Sequence, residues 1–361
     1  MTAADITSRE TAVEAAVSAR AHGVDWILAR IGASGGPLTD PRGIYRVPWA
    51  LAVAGQQETA AKVLAWADRE LLTRSGDITE GTLRERFRDT AASYPLAILA
   101  MGAWHLDRYD IAGKIMNTLA GYQNPATGGA YSQTPEARTN DPVEDLFPTA
   151  QLGMTAVCTG RTEMAAGAYR WFTDLWAAQP ELPGKLYSRT CRGALVTDAE
   201  RSGDPFMTVT DLHGERQAFY NPGIAAAFLG RYHLATGDKE ALALADRYLS
   251  LSVTGGPAQF DYAQSRQICK FGWGAAVLSE ADPGNAAYED YLLRMARWFA
   301  DCQESDGRWH NSPFLNPSPT DDDDMEITAE FVQHLSYILL ALAERTALPE
   351  NTAAGLAGPA A

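Results

Sequence analysis

Phe219-Tyr220-Asn221-Pro222-Gly223-Ile224-Ala225-Ala226-Ala227-Phe228, then Ala235-Thr236-Gly237-Asp238, then Lys239 to Leu251: these pieces spell one helical hairpin. The proline stands in a first helical turn, where its missing N–H would lack a partner anyway. The run after it is apolar all round and small in side chain, the mark of a helix buried on every side. Gly237 supplies a helix stop. Lys239 to Leu251 carries an apolar stripe with charges opposite, so it reads as an outer helix covering the inner one. The same punctuation recurs at Val53-Ala54-Gly55-Gln56, His105-Leu106-Asp107-Arg108, Cys158-Thr159-Gly160-Arg161 and Glu280-Ala281-Asp282-Pro283. Turn centres at 55, 107, 160, 237 and 282 give steps of 52, 53, 77 and 45 residues. Helix pairs repeating at that period form a stacked or closed array.

Inner helices are expected to begin near Tyr45-Arg46-Val47-Pro48-Trp49, Ser93-Tyr94-Pro95, Leu146-Phe147-Pro148, Phe219-Tyr220-Asn221-Pro222, Lys270-Phe271-Gly272-Trp273 and Glu330-Phe331-Val332. Five of the six have a following outer helix. The amphipathic stretch from Glu10 to Ile31 supplies the sixth, beside the last inner helix, and so closes a ring. The expected organisation is one all-α domain, an (α/α)6 toroid over 8–346, with an N-terminal tail at 1–7 and a disordered Ala/Gly/Pro-rich tail at 347–361. The long connections (73–88, 121–143, 179–215 and 304–325) all precede inner helices. They therefore emerge at one end of the ring, which is where a site belongs.

Composition narrows the function. A net charge of −15 argues against nucleic acid, whose phosphates call for clustered Lys and Arg. There is no run of 18 apolar residues to span a membrane, and Met1-Thr2-Ala3-Ala4-Asp5 is not the start of a secretory signal. Cys158, Cys191, Cys269 and Cys302 show no metal-type spacing. A cytoplasmic protein with reduced thiols, without metal or cofactor, is expected; oligomeric state stays open.

This arrangement resembles the six-hairpin α/α toroid of terpenoid cyclases, protein prenyltransferases and several carbohydrate-active enzymes. Gln303-Glu304-Ser305-Asp306-Gly307-Arg308-Trp309 is similar to the Q-x-x-x-G-x-W core of the squalene-cyclase-like repeat, with a weaker echo at Gln123 to Tyr131. One good copy in one ring implies the superfamily, not triterpene chemistry.

Several groups gather at the expected mouth. Asp321-Asp322-Asp323-Asp324 satisfies a D-x-D-D pattern, yet acidic residues there equally suit the positive end of the last helix dipole. Glu326 and Glu330 share a face; Glu330 reads either as a general acid or base, or as a buried partner of a neighbouring Arg. Asp145 is a candidate proton carrier, while Asp141, before Pro142, reads as a helix cap. In Arg266-Gln267-Ile268-Cys269-Lys270, the helix start and two cations are expected to lower the Cys269 thiol pKa, making it a nucleophile or acid–base group. The alternative is a small core cysteine beside a Lys270 paired to Glu330 or Asp145. Cys191 is similarly open. His105 and His233, at far helix ends, read as structural; His310 is the histidine near the mouth.

The resulting expectation is a cofactor-independent cyclase, isomerase or lyase of bacterial specialised metabolism, acting by acid–base catalysis on a small, partly apolar metabolite with a polar or anionic handle. Glu330 or Asp145 would transfer the proton, with Tyr220 and Tyr94 orienting or donating. Arg46 and Lys270 would hold the handle, Trp49, Trp273 and Trp309 would enclose the apolar body, and Tyr45, Asn221 and His310 would complete the binding set. The first alternative is a glycoside hydrolase, epimerase or polysaccharide lyase with paired carboxylates. The second is a non-catalytic helical scaffold for a protein partner.

Overall fold

Every proline-entered apolar segment is a helix, and a second helix follows it across the turn. The computed structural model describes residues 3–199, 204–261, 267–310 and 318–347. It begins with α1 (Ala3–Leu28), a 3-10 turn at Pro41–Arg46, α2 (Val47–Val53), α3 (Gln57–Glu70), a short α4 (Thr82–Phe87), α5 (Tyr94–His105) and α6 (Tyr109–Leu119). Strand β1 (Val143–Asp145) leads into α7 (Leu146–Cys158) and α8 (Thr162–Ala177). Then come β2 (Lys185–Tyr187), β3 (Arg189–Cys191), β4 (Ala194–Leu195), the four-residue α9 (Pro205–Thr208) and β5 (Val209–Asp211). The chain continues through α10 (Tyr220–Thr236), α11 (Lys239–Thr254), α12 (Ala258–Asp261), α13 (Cys269–Ala281), α14 (Ala287–Asp301) and α15 (Asp321–Ala347).

Helices α2, α5, α7, α10, α13 and α15 each pack on the next, and α15 returns to α2. That is a closed inner ring. Each inner helix has an outer partner, and α1 fills the sixth place against α14 and α15. The fold is the all-α toroid of six hairpins. The small residues of the inner layer are explained by distance: a Cβ on Gly223 would lie 2.3 Å from the Lys270 backbone carbon. Outer helices bury one face only, as Tyr288, Leu292, Met295 and Phe299 do in α14. The hairpin turns at Gly55, Asp107, Gly160 and Gly237 have φ of +86°, +57°, +72° and +75°, the left-handed helix stop. The fifth turn, at Asp282, has φ −137° instead.

A second repeat joins one hairpin to the next. Gln123 Nε2 donates to the Gly128 carbonyl (2.8 Å) and to Met164 of α8 (2.9 Å). Gln303 Nε2 likewise donates to Gly307 (2.8 Å) and to Ala19 of α1 (2.7 Å). The Q-x-x-x-G-x-W stretch is therefore a strut between adjacent outer helices. Trp309 belongs to that strut and not to a mouth-side chamber: fully buried, it donates Nε1 to the Phe299 carbonyl of α14 at 2.9 Å and packs on Gly23 of α1.

Helix periodicity does not announce the two small antiparallel sheets, β1-β3-β4 and β2-β5. They stand at the mouth end, between α7 and α10. Helix α1 starts at Ala3, inside the expected tail, and stops at Leu28. Arg266 and the tail beyond 347 lie outside the described residues.

Two glycines separate packing from backbone strain. Gly128 has φ +90°, and its Cβ would meet the Gly167 carbonyl oxygen at 2.0 Å; Gly55 has φ +86° with nothing within 4 Å. Gly55→Ala should cost about 1 kcal/mol of unfolding free energy and Gly128→Ala about 3 or more, read by urea denaturation. Equal costs would contradict the strut.

Candidate active site

The inner-helix N-termini and the two sheets bring charged groups to the ring's mouth end in two clusters. The first lies at the seam between α15 and the turn before α2. Arg46 Nη2 is 3.1 Å from Glu330 Oε2, and its Nε is 3.5 Å from Glu326 Oε1. Arg46 also donates to the phenol oxygens of Tyr45 (3.2 Å) and Tyr94 (2.9 Å). Tyr45 in turn donates to Glu326 at 2.5 Å, and Arg86 reaches the other Glu326 oxygen at 2.7 Å. Lys270, from α13, pairs with Glu330. Three cations here meet two carboxylates, and Asp323 acts on Arg86 from the first turn of α15.

The protonation states follow from these neighbours. Burial works to raise the Glu330 carboxyl, but Arg46 and then Lys270 more than offset it and hold it at about 2. Glu330 is thus an ionised partner of two cations, the alternative weighed for it from sequence. Burial, with Glu330 nearby, pushes the Cys269 thiol up to about 12. The expectation of an acidified thiol is not met, because burial and the nearby Glu330 outweigh Lys270; Arg266 lies outside the described residues. Burial also drops His334 to about 3, so the ring is neutral. Cys269, Glu330 and His334 offer donor atoms within 4.8 Å of one another. A divalent ion there would face Lys270 and Arg46 and would need a thiol that holds its proton; the donor set is present and the local field opposes it.

Deeper in the ring the aromatics pack on each other. Trp49 meets Trp273 edge-on at 5.8 Å, Trp273 stacks on His334 at 5.3 Å, and Trp49 donates Nε1 to the Tyr337 phenol at 3.1 Å. His105 stacks on Trp49, consistent with its structural reading.

The second cluster surrounds Asp145. Its side chain caps α7, accepting from Phe147 N–H at 3.1 Å, so the cap is Asp145 and not Asp141, which pairs with the exposed Arg192. Arg189 Nε lies 2.8 Å from Asp145 Oδ2, and Arg189 Nη2 lies 3.2 Å from Asp204 Oδ2. Asp145 is fully buried, and burial raises its carboxyl above the usual range although Arg189 opposes the shift. Beside it stands an aromatic set: Phe147 stacks on Tyr94 at 4.2 Å and meets Tyr220 at 4.8 Å. Lys270 Nζ lies 5.2 Å and 5.3 Å from the Phe147 and Tyr220 ring centres, linking the clusters. Burial raises all three phenols, Tyr45, Tyr94 and Tyr220, and keeps them protonated. Asn221 donates Nδ2 to Thr210 at 3.3 Å and leaves its buried Oδ1 unpartnered. A cavity of about 510 Å³ opens next to this cluster, lined by Lys185, Tyr187, Phe206, Arg216 and Gln217 among others.

The remaining candidates stand apart from both clusters. His310 Nδ1 meets Asp324 at 2.9 Å. Asp321 pairs with Arg308, Asp322 accepts from Thr39, and Asp323 accepts from Thr320 N–H. The acidic run is engaged at the start of α15. Cys191 is half-buried in β3. Sequence reasoning passed over Arg189, Arg86, Asp204 and His334. Only His334 carried a usable signal, being four residues from Glu330 on one helix face.

Glu330 predicts an acid-labile ring. Its carboxyl titrates at about 2 in the folded chain, below the ordinary glutamate value of 4.5 that the unfolded chain regains. Its stabilisation is therefore complete above about pH 4.5 and is lost as pH falls towards 2, by on the order of 3 kcal/mol. Glu330→Gln, which strands Lys270 and Arg46, should cost about 3–5 kcal/mol at pH 7 and flatten that limb. Urea melts across pH check both.

No family model and no curated protein matches the chain. Solved structures do. A GH76 α-mannanase from Bacteroides thetaiotaomicron superposes with a TM-score of 0.63 at 13% identity, covering 92% of this chain and 97% of that one. A variant of the type II terpene cyclase MstE from Scytonema, in complex with its substrate geranylgeranyl dihydroxybenzoate, gives 0.56 at 12% identity over 92% and 99%. A protein from Actinoplanes gives 0.56 at 16% over 90% and 99%. At such identities the likeness is one of fold: this chain shares the α/α toroid with terpene cyclases and mannanases.

Proposed function

We propose that the chain is an acid–base enzyme that cyclises or isomerises a small, partly apolar, alkene-bearing substrate, with Asp145 as the proton donor. One observation carries the reading: a fully buried carboxyl, raised by burial, sits at the ring's rim against the aromatic set of Phe147, Tyr220 and Tyr94. Burial moves this carboxyl towards the protonated form that a proton donor needs. Transfer from Asp145 to an alkene carbon forms a C–H bond and leaves a cation, which the ring faces stabilise. Ring closure or migration follows. A proton lost from the substrate returns to Asp145, so the product is an isomer of the substrate.

The first cluster fits the substrate's other end. Its cations, Arg46 and Lys270, suit a single anionic handle, and Glu330 holds them in place. Glu330 is by this reading a fixed anion and Asp145 the acid. Trp49 and Trp273 form the floor beneath. The substrate of MstE, an apolar chain on a dihydroxybenzoate head, has the same two-ended character and supplies a probe.

Incubation with farnesyl and geranylgeranyl dihydroxybenzoate in D₂O should yield an isomeric product carrying one deuterium, detected by mass spectrometry. Asp145→Asn should slow it by about a hundredfold or more with the helical signal unchanged. No isomer from any prenylated probe, or sugar release from α-1,6-mannan instead, overturns the assignment; the second outcome moves the chain to the glycoside-hydrolase reading.

A further inference from the structure

Arg189 has two carboxylates and one charge to share. It rises from β3 with Nε on Asp145 (2.8 Å) and Nη2 on Asp204 (3.2 Å). Asp204 also shapes the short helix that follows it, accepting from Met207 N–H at 3.2 Å as the cap of α9. Helix α9 lies across the rim. Met207 Sδ accepts from the Tyr220 phenol at 3.2 Å, and the Phe206 ring stands 6.3 Å from that of Tyr220. Ser188, next to Arg189, holds α9 from below, its N–H on the Thr208 carbonyl at 2.9 Å and its hydroxyl on the Met207 carbonyl at 2.5 Å. Phe206 also lines the 510 Å³ cavity, on which Tyr220 does not itself border.

We propose that Asp204 is a positioning residue for Asp145: the two carboxylates divide the Arg189 guanidinium between them, and Asp204 also caps α9 where that helix covers Tyr220. The proposal rests on Asp145 being the acid. A guanidinium paired with one carboxylate alone favours the ionised form of that carboxylate. Two carboxylates on one guanidinium repel each other as anions, and the more deeply buried one then holds a proton more readily. Here that is Asp145, fully buried, against the partly exposed Asp204. Because Asp204 caps α9, moving α9 to admit a substrate past Phe206 also moves the second anion. Access to the acid and its loading with a proton are coupled through one side chain.

Among the described residues, the other groups around Asp145 do not replace Asp204. Tyr220 of α10 and Tyr94 of α5 are protonated phenols. Lys270 of α13 reaches the Phe147 and Tyr220 rings but is held by Glu330 of α15. Glu144, the neighbour on β1, is turned to Asn124, Thr127, Trp171 and Thr190.

The test follows Asp145 directly. In full-length protein carrying ¹³Cγ-aspartate, the Asp145 signal is identified by its loss in Asp145→Asn, and its titration midpoint is read by NMR. Asp204→Asn and Asp204→Ser keep a side chain able to cap α9 and remove the charge. Both should move the midpoint down by about one pH unit, and Asp204→Glu should restore it. An unchanged midpoint in either folded variant overturns the role given to Asp204. On the prenylated probe, turnover needs the protonated acid, so the alkaline limb of the rate profile should move to lower pH by the same amount. A midpoint that moves while the limb stays put supports Asp204 as the partner of Asp145 and removes Asp145 as the acid.

Discussion

The ring closes where its ends meet, at Arg46 against Glu326 and Glu330. Tyr45 and Glu326, hydrogen-bonded across this seam, are 281 residues apart in the chain. Bringing such distant segments together costs about 5 kcal/mol of loop entropy beyond a constant. Apolar burial on both sides of the seam, with Ile44 and Tyr45 facing Met325 and Ala329, supplies the offset. The ion pairs contribute something different. Two charges taken out of water gain little net free energy, but a register that leaves either unpaired is strongly disfavoured. A Cβ on Gly43 would lie 2.5 Å from the Asp322 carbonyl oxygen, so the approach is close enough for register to matter. The seam therefore sets how the last hairpin sits on the first, and with it the height of every side chain at the mouth.

Two rim carboxyls are then shifted in opposite directions, and among the described residues they differ in the number of cations they face. Glu330 faces two cations, Arg46 and Lys270, and is held ionised. Asp145 faces one, and shares it. Burial penalises both anions alike; the number of cations per carboxylate decides the outcome. Neither shift is visible in the residue type: Asp145 caps α7, and Glu330 lies well inside α15, which starts at Asp321.

The ring itself was legible because its signals are local. Proline in the first turn, glycine or aspartate after the last and a one-sided stripe on the following helix are all read within one hairpin. The mouth was not, for reasons that are equally physical. Strand β1 pairs with β3, matching Asp145 to Arg189; three-residue strands carry no periodicity, and their partners lie in another loop. Trp309 matches a motif, yet the motif encodes a strut between outer helices, which sequence spacing alone does not distinguish from a chamber wall. Cys269 does stand at a helix start among cations, as its neighbours in sequence suggest. Its expected acidity fails because the thiol is buried and Glu330, on a different helix, stands beside it.

The strands at the mouth also explain how adjacent acids come to do different work. Side chains alternate across an extended segment, so Glu144 and Asp145 point to opposite faces of β1. Glu144 meets four donors, Asn124, Thr127, Trp171 and Thr190, and ties two connections and α8 together as a structural anion. Asp145 meets Arg189 and the start of α7, beside the aromatic set. On a helix the same two residues would be only about 100° apart and would compete for one environment. With the floor of the ring filled by Trp49, Trp273, His334 and Tyr337, and its seam filled by ion pairs, the rim between α7 and α10 is where a buried carboxyl shares its cation with a second acid. The short sheets are what put it there.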